Sequence, residues 1–360
     1  MKTPYLSIDL QKIEHNARSV VRLCTQLGVN VTGVTKAVCG NPHVAKAMLR
    51  GGVNSLADSR LINIHRLQDA GIDTRYMLLR LPALSEVNDI IAAVDVSLNS
   101  ELPTLKALSA AAVQAGKVHE VIVMVDLGDL REGIWPDDVP RFVSEAVKLP
   151  GIRVIGLGTN LACFAGVIPS ERNMHQLLEL ALSVEHTFKL PMKTVSGINS
   201  SGLDLITAHK MPQGINHARI GEAILLGRET VHRNPWPDTY QDAFVLHAEV
   251  IELHEKPSLP VGERSQDAFG GLPSFEDRGP RKRALLNVGR EDIDICGITP
   301  LDKNVKIIGA SSGYLGLDVG DAKTPIQLGE VLGFTLNYGA LLAAMTSEYV
   351  HKRTETGKHD

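Results

Sequence analysis

VNVTGVTKAVCGN, residues 29–41, opens with an apolar, β-branched run that breaks at a lysine and continues into a small residue, a cysteine and a glycine. A run of this kind reads as a buried strand. Lys36, at its end, must reach solvent, find a partner for its charge, or do chemistry. A lysine that escapes to water from a strand end is the commonest of the three, so the rest of the chain has to decide.

Working outward, residues 11–28 place Ile13, Ala17, Val20, Val21 and Leu27 at helical spacing, and Gly28 ends that helix. Beyond Lys36 the pattern alternates. PHVAKAMLRGG, SRLINIHRLQDAG, SELPTLKALSAAAVQAG, DDVPRFVSEAVKL and SERNMHQLLELALSVEHTF read as helices. VNSLAD, RYMLLRL, VDVSL, HEVIVMVDLG, IRVIGLGTN, KTVSGI and HARIG read as strands. The strands are near-continuous apolar runs, as expected of a parallel sheet covered on both faces. Roughly eight β/α units suit a (β/α)8 barrel, with a doubly wound sheet as the alternative. The expected barrel spans residues 1–232. After the Pro- and Asp-rich HRNPWPDTYQDA, short glycine-punctuated strands suggest a smaller all-β domain over 233–360, and the stretch 4–10 is left open to pair with that domain.

Composition narrows the partners. A net charge of −4 gives no basic surface for nucleic acid, and Arg281-Lys282-Arg283 reads as a solvated turn. No apolar run reaches the ~20 residues that span a bilayer, and MKTPYLSIDLQ lacks the apolar core of a secretion signal. The four cysteines are scattered and the 13 histidines form no ligand spacing. A cytoplasmic protein with reduced thiols and no metal is expected.

In a parallel barrel, functional groups sit at the C-terminal ends of the strands. Lys36, Asp126 to Arg131, Asn160, Ser196 to Ser201 and Arg219 to Gly221 all fall at such ends, so they would ring one mouth.

The motifs VTKAVCGN, MVDLGDLREG, GLGTNLACF, SGINSSGL, ARIGEAILLGRE, KPSLPVGE, VGREDID and NYGALL span the chain. Through them it resembles the fold-type III enzymes that use pyridoxal 5'-phosphate, and more closely the ornithine/lysine branch of the alanine/ornithine racemase family. The resemblance implies that Lys36 carries the cofactor covalently. It gives the phosphate to Ser200, Ser201, Gly221, the Glu222 backbone and Tyr338. Arg219 would face the pyridine nitrogen; being donor-only, it cannot protonate the ring, which favours racemisation over the related decarboxylases. Arg131 would approach the substrate carboxylate. Asn160 stands where alanine racemases carry a histidine.

Alanine racemases set a tyrosine, in a GY-x-DG motif, opposite the lysine as second base. This chain lacks the motif, and Asp267 falls at roughly that place, with Tyr314 and Cys296 as other candidates. Asp292 and Asp294, two apart, would share one side of an extended segment and attract a distal ammonium; a solvated acidic turn, or pairing with Arg281 or Arg290, is the alternative. The implied assembly is a head-to-tail homodimer. Competing readings are an alanine racemase, a decarboxylase, and a non-catalytic carrier of the cofactor.

Overall fold

A computed structural model describes residues 2–355. These fall into two compact units. One is Leu10–Gln241; the other joins the described residues up to Asp9 to those from Asp242 onward.

In the first unit, eight parallel strands close on themselves: β2 (Asn30–Val34), β3 (Ser55–Asp58), β4 (Tyr76–Leu78), β5 (Val96–Asn99), β6 (His119–Met124), β7 (Ile152–Gly158), β8 (Thr194–Ile198) and β9 (His217–Ile220). Helices α1 (Leu10–Thr25), α2 (Pro42–Arg50), α3 (Leu61–Asp69), α4 (Val87–Ala93), α5 (Leu102–Gln114), α6 (Val139–Ala146), α7 (Glu171–Phe188), α8 (Leu203–Thr207) and α9 (Glu222–Leu226) accompany them. The barrel, rather than the doubly wound sheet, is therefore the fold. One wall of its interior is apolar, with Val34, Ala57, Met77, Val96, Leu98, Ile122, Met124 and Ile155 packed together. Each of the valine, leucine, isoleucine and methionine side chains removed from water contributes about 1.5–3 kcal/mol.

Local chemistry sets the element ends. Asn41 caps α2 by accepting from the His43 and Val44 amides, and Ser170 with Asn173 forms a capping box at α7. Asn16, buried within α1, donates to the Ile224 and Tyr240 carbonyls and accepts from the Tyr240 amide (2.7–3.0 Å). Those three bonds tie α1 to the end of the barrel's last unit.

The second unit is an eight-stranded sheet. β1 (Tyr5–Asp9) pairs antiparallel with β10 (Phe244–Pro257) and parallel with β16 (His351–Glu355). β11 (Pro280–Leu286), β12 (Ile298–Pro300), β13 (Lys306–Ala310), β14 (Leu315–Asp318) and β15 (Val331–Leu336) complete it, in the order β12-β15-β10-β11-β14-β13. Helix α10 (Tyr338–Thr346) comes after β15. The basic run 281–283 is part of β11 rather than a turn, and Arg281 pairs with Asp318 (3.0 Å) and Asp321 (2.6 Å).

Candidate active site

β2 ends at Val34, and Lys36 opens a single 3-10 turn, Lys36–Val38, at the C-terminal rim of the barrel. Thr35 anchors that turn by donating to Asp58 (2.8 Å), at the end of β3, and Asn63 also donates to Asp58 (2.9 Å). Burial lowers the Lys36 pKa, and Arg131 pushes the same way. Cys163, Asp58 and Glu132 oppose it. The balance raises the share of neutral amine over that of a free lysine.

Arg131 is held on three sides. Glu132 forms an ion pair with it, Nη1 lies 2.6 Å from Cys163 Sγ, and with its amide turned Asn160 accepts from Nη2 at 3.1 Å and Nη1 at 3.3 Å. The loop that carries Cys163 is fixed by the buried Asp129, which accepts from the Phe164 (2.8 Å) and Val167 (3.0 Å) amides. Asn199, at the next strand end, reaches the same loop by donating to the Leu161 carbonyl (2.8 Å).

Arg219 projects from β9 and is buried. Its Nη2 donates to the Thr159 carbonyl (2.6 Å) and its Nη1 to the Ser196 carbonyl (3.2 Å) and hydroxyl. Burial, reinforced by Arg131 and opposed by Glu132, brings its pKa down to about 10, so it stays charged at neutral pH. Glu132 thus answers three cations, Lys36, Arg131 and Arg219.

Ser200 and Ser201 lie buried in the 3-10 turn after β8. Asn199 accepts from the Ser201 amide (2.7 Å), and the Ser200 hydroxyl accepts from the Ala223 amide (3.1 Å). That second bond joins the loop after β8 to the one after β9. Gly221 sits against Val34, where a Cβ would come within 3.2 Å of the Val34 Cβ. The Glu222 carboxylate forms an ion pair with Arg233. Two buried hydroxyls, turn amides and a side-chain-free glycine make a cradle suited to a phosphate.

The barrel therefore gathers Lys36, Arg131, Asn160, Ser200, Ser201, Arg219, Gly221 and Glu222 on one rim. Asp267, Asp292, Asp294 and Tyr338 belong to the second unit. The three aspartates depart from expectation. Asp267 is partly exposed and caps its own turn, accepting from the Phe269 (2.9 Å) and Gly271 (2.8 Å) amides. Those amides, Gly271 foremost, lower its pKa, the wrong direction for a base. Asp292 and Asp294 do not share one side of an extended segment, because residues 289–294 form turns. Asp292 is buried and accepts from the Gly289 amide (2.9 Å), whereas Asp294 is exposed and accepts from the Cys296 amide (3.1 Å) at the start of a 3-10 turn. Asp294 also lies beside the first turn of α10, its Oδ2 3.0 Å from the position a Cβ on Gly339 would take. Tyr338 is the first residue of that helix. Arg290 does not pair with either aspartate; it stacks over the Phe269 ring at 4.4 Å. Tyr314 and Cys296 are both exposed.

Glu132 and Cys163 were not singled out by sequence as parts of the site, and Ser196 entered only as the start of a polar strand end. Polar residues inside buried strands, Ser196 in TVSGI and His217 in HARI, are the signal that could have drawn attention to the barrel interior. Among the described residues no cluster of three or more His, Cys, Asp or Glu could hold a metal ion, and no helix is long and apolar enough to cross a membrane.

A closed parallel barrel with a half-buried lysine and two arginines at its C-terminal rim defines a class of barrel enzyme, and the comparisons make the class definite. The chain belongs to the alanine racemase family: the family's alanine racemase N-terminal domain matches residues 8–229. An ornithine racemase from Acetoanaerobium sticklandii is 43% identical over 350 residues, 97% of this chain and 99% of that protein. A lysine racemase from Thermotoga maritima is 38% identical over 352 residues, 98% of each. The crystal structure of alanine racemase from Bartonella henselae with covalently bound pyridoxal phosphate shares the fold at a TM-score of 0.74, with 16% identity, covering 99% of this chain and 100% of that one.

Proposed function

We propose that this chain racemises basic amino acids, ornithine and lysine foremost, with pyridoxal 5'-phosphate as cofactor. Near full-length similarity to an ornithine racemase and a lysine racemase supports the substrate class. The observation that carries the chemistry is a half-buried Lys36 in the electrostatic field of Arg131 and Glu132 at the barrel rim.

Pyridoxal phosphate, when bound, draws electron density away from the substrate Cα–H bond. Ser200, Ser201 and the backbone at Gly221 and Glu222 would hold its phosphate, with Tyr338 contributed by the second unit. Arg219 would donate a hydrogen bond at the pyridine nitrogen and keep its proton, since a guanidinium is charged throughout the working range. Arg131 presents a planar fork suited to a carboxylate, and Asn160 holds that fork in place. Lys36, with its amine partly neutral, takes a proton from Cα or returns one on its own face. Asp294, exposed beside α10, would attract the distal ammonium of the substrate; Asp292 serves its own turn. Asp267 we assign to its turn, not to the second face of the substrate.

We also propose a head-to-tail homodimer, in which the second unit of one subunit serves the barrel of its partner. Incubation with pyridoxal phosphate and L-ornithine, L-lysine or L-alanine, followed by chiral chromatography, tests the function. The expected result is D-ornithine and D-lysine with little D-alanine. D-alanine alone would overturn the substrate class, and no inversion of any of the three would overturn the proposal.

A further inference from the structure

Side chains from the adjoining strands β8, β9, β2 and β3 form a continuous polar chain. From the rim inward, Arg219 Nη1 donates to the Ser196 hydroxyl. Ser196 Oγ lies 2.7 Å from His217 Nδ1, His217 Nε2 lies 2.8 Å from Thr32 Oγ1, and Thr32 Oγ1 lies 2.6 Å from Ser55 Oγ. The links come from adjoining strands: Ser196 is level with His217 across β8 and β9, Thr32 with Arg219 across β2 and β9, and Thr32 with Ser55 across β2 and β3. Thr32, Ser196, His217 and Arg219 are all buried.

The proton positions in such a chain are set by its first member. Arginine has donors and no acceptor, so the Ser196 oxygen must accept from it. The hydroxyl proton of Ser196 then has one acceptor among its hydrogen-bond neighbours, His217 Nδ1. The imidazole must therefore carry its proton on Nε2, and donate it to Thr32, whose own proton goes on to Ser55. Reversing the imidazole would aim two donors at Ser196 and leave its hydroxyl proton with no acceptor among its hydrogen-bond neighbours, a costly state for a buried polar group. Burial, with Arg219 as a lesser cause, holds the imidazole neutral by bringing its pKa down to about 3.

We infer that Ser196, His217 and Thr32 are positioning residues for Arg219: a one-directional hydrogen-bond chain, polarised by the guanidinium, that fixes where Arg219 stands at the barrel rim and locks His217 as the Nε2–H tautomer. The chain rests on the proposed role of Arg219 only for its effect on turnover; its direction is a property of the protein alone. It also explains why a serine, a histidine and a threonine occupy strand positions where this fold ordinarily packs branched apolar side chains.

Two measurements test it separately. Imidazole 15N NMR on cofactor-free protein at neutral pH should find His217 neutral with Nε2 protonated; the Nδ1–H tautomer or the imidazolium would overturn the inference. For the link to catalysis, Thr32→Val removes the hydroxyl at nearly constant shape, and Thr32→Ser restores it. With pyridoxal phosphate present, Thr32→Val should lower kcat for lysine about tenfold with KM little changed and shift the visible absorbance of the bound cofactor, while Thr32→Ser stays near the parent on both readouts. Parental kcat and spectrum in Thr32→Val would overturn the positioning role. Loss of the cofactor reading itself would register differently, as a Lys36 variant that binds and turns over normally while the NMR result stands.

Discussion

Two histidines that the fold buries without charge should make the barrel unit acid-sensitive. His217 is held between Ser196 and Thr32, and His119, at the start of β6, lies 2.7 Å from the Ser97 hydroxyl. Burial, the largest cause for each, brings their pKa values down to about 3 and about 4. In the unfolded chain both would titrate near 6.5. As pH falls through that value the unfolded state takes up two protons that the folded state refuses. The stability contribution is therefore fully present above about pH 7 and is lost as the solution is acidified. The slope for each group approaches about 1.4 kcal/mol per pH unit, which amounts to about 2 kcal/mol per histidine by pH 5. Urea unfolding followed by circular dichroism at pH 7, 6 and 5 measures the total. Comparison with His217→Gln isolates one contribution and cancels the carboxylates common to both proteins. The difference between parent and variant should change by about 2 kcal/mol from pH 7 to pH 5, the parent losing more. A difference that does not move with pH would refute the claim that His217 is buried uncharged.

Other outcomes are expected at the site. Asp267→Asn keeps the turn cap and removes the base, so kcat should stay within about threefold of the parent; a fall of about 100-fold or more, the usual consequence of removing a general base, would return Asp267 to the second face. Asp294→Asn should lower kcat/KM for ornithine and lysine about ten- to 100-fold, the range of a hydrogen bond to a charged group, while alanine turnover changes little. Asp292→Asn should instead lower the thermal midpoint, because that carboxylate caps a buried turn, with no change in substrate ratio. Equal selectivity losses in the two variants would contradict the separate roles of the two carboxylates.

Much of the barrel was legible because its signals are local. Apolar runs of strand length, glycine-stopped helices and polar strand ends recur at a regular pitch, and they bring Lys36, Arg219 and the Ser200–Gly221 cradle to one rim. The seven-residue helix Val87–Ala93 is not evident in the sequence because so short a segment shows too little periodicity. The second unit was harder. Asp292 and Asp294 look like a paired acidic site when residues 288–294 are taken as extended, but a turn at Gly289 sends one carboxylate inward and the other to solvent. Asp267 matches the expected sequence position for a base, yet its amide partners come from its own loop, and no spacing rule foretells that. The Ser196–His217–Thr32 chain joins residues from three strands, so its contacts exist only once the barrel closes.

The central claim is that Lys36 is the attachment point of the cofactor. The protein is incubated with pyridoxal phosphate, reduced with borohydride, digested, and analysed by mass spectrometry to find the modified residue, with Lys36→Ala alongside. A single adduct on the peptide that contains Lys36, absent from the variant together with the visible absorbance band, is the predicted result. An adduct on a different lysine in the parent, or a visible band retained by Lys36→Ala, would contradict it.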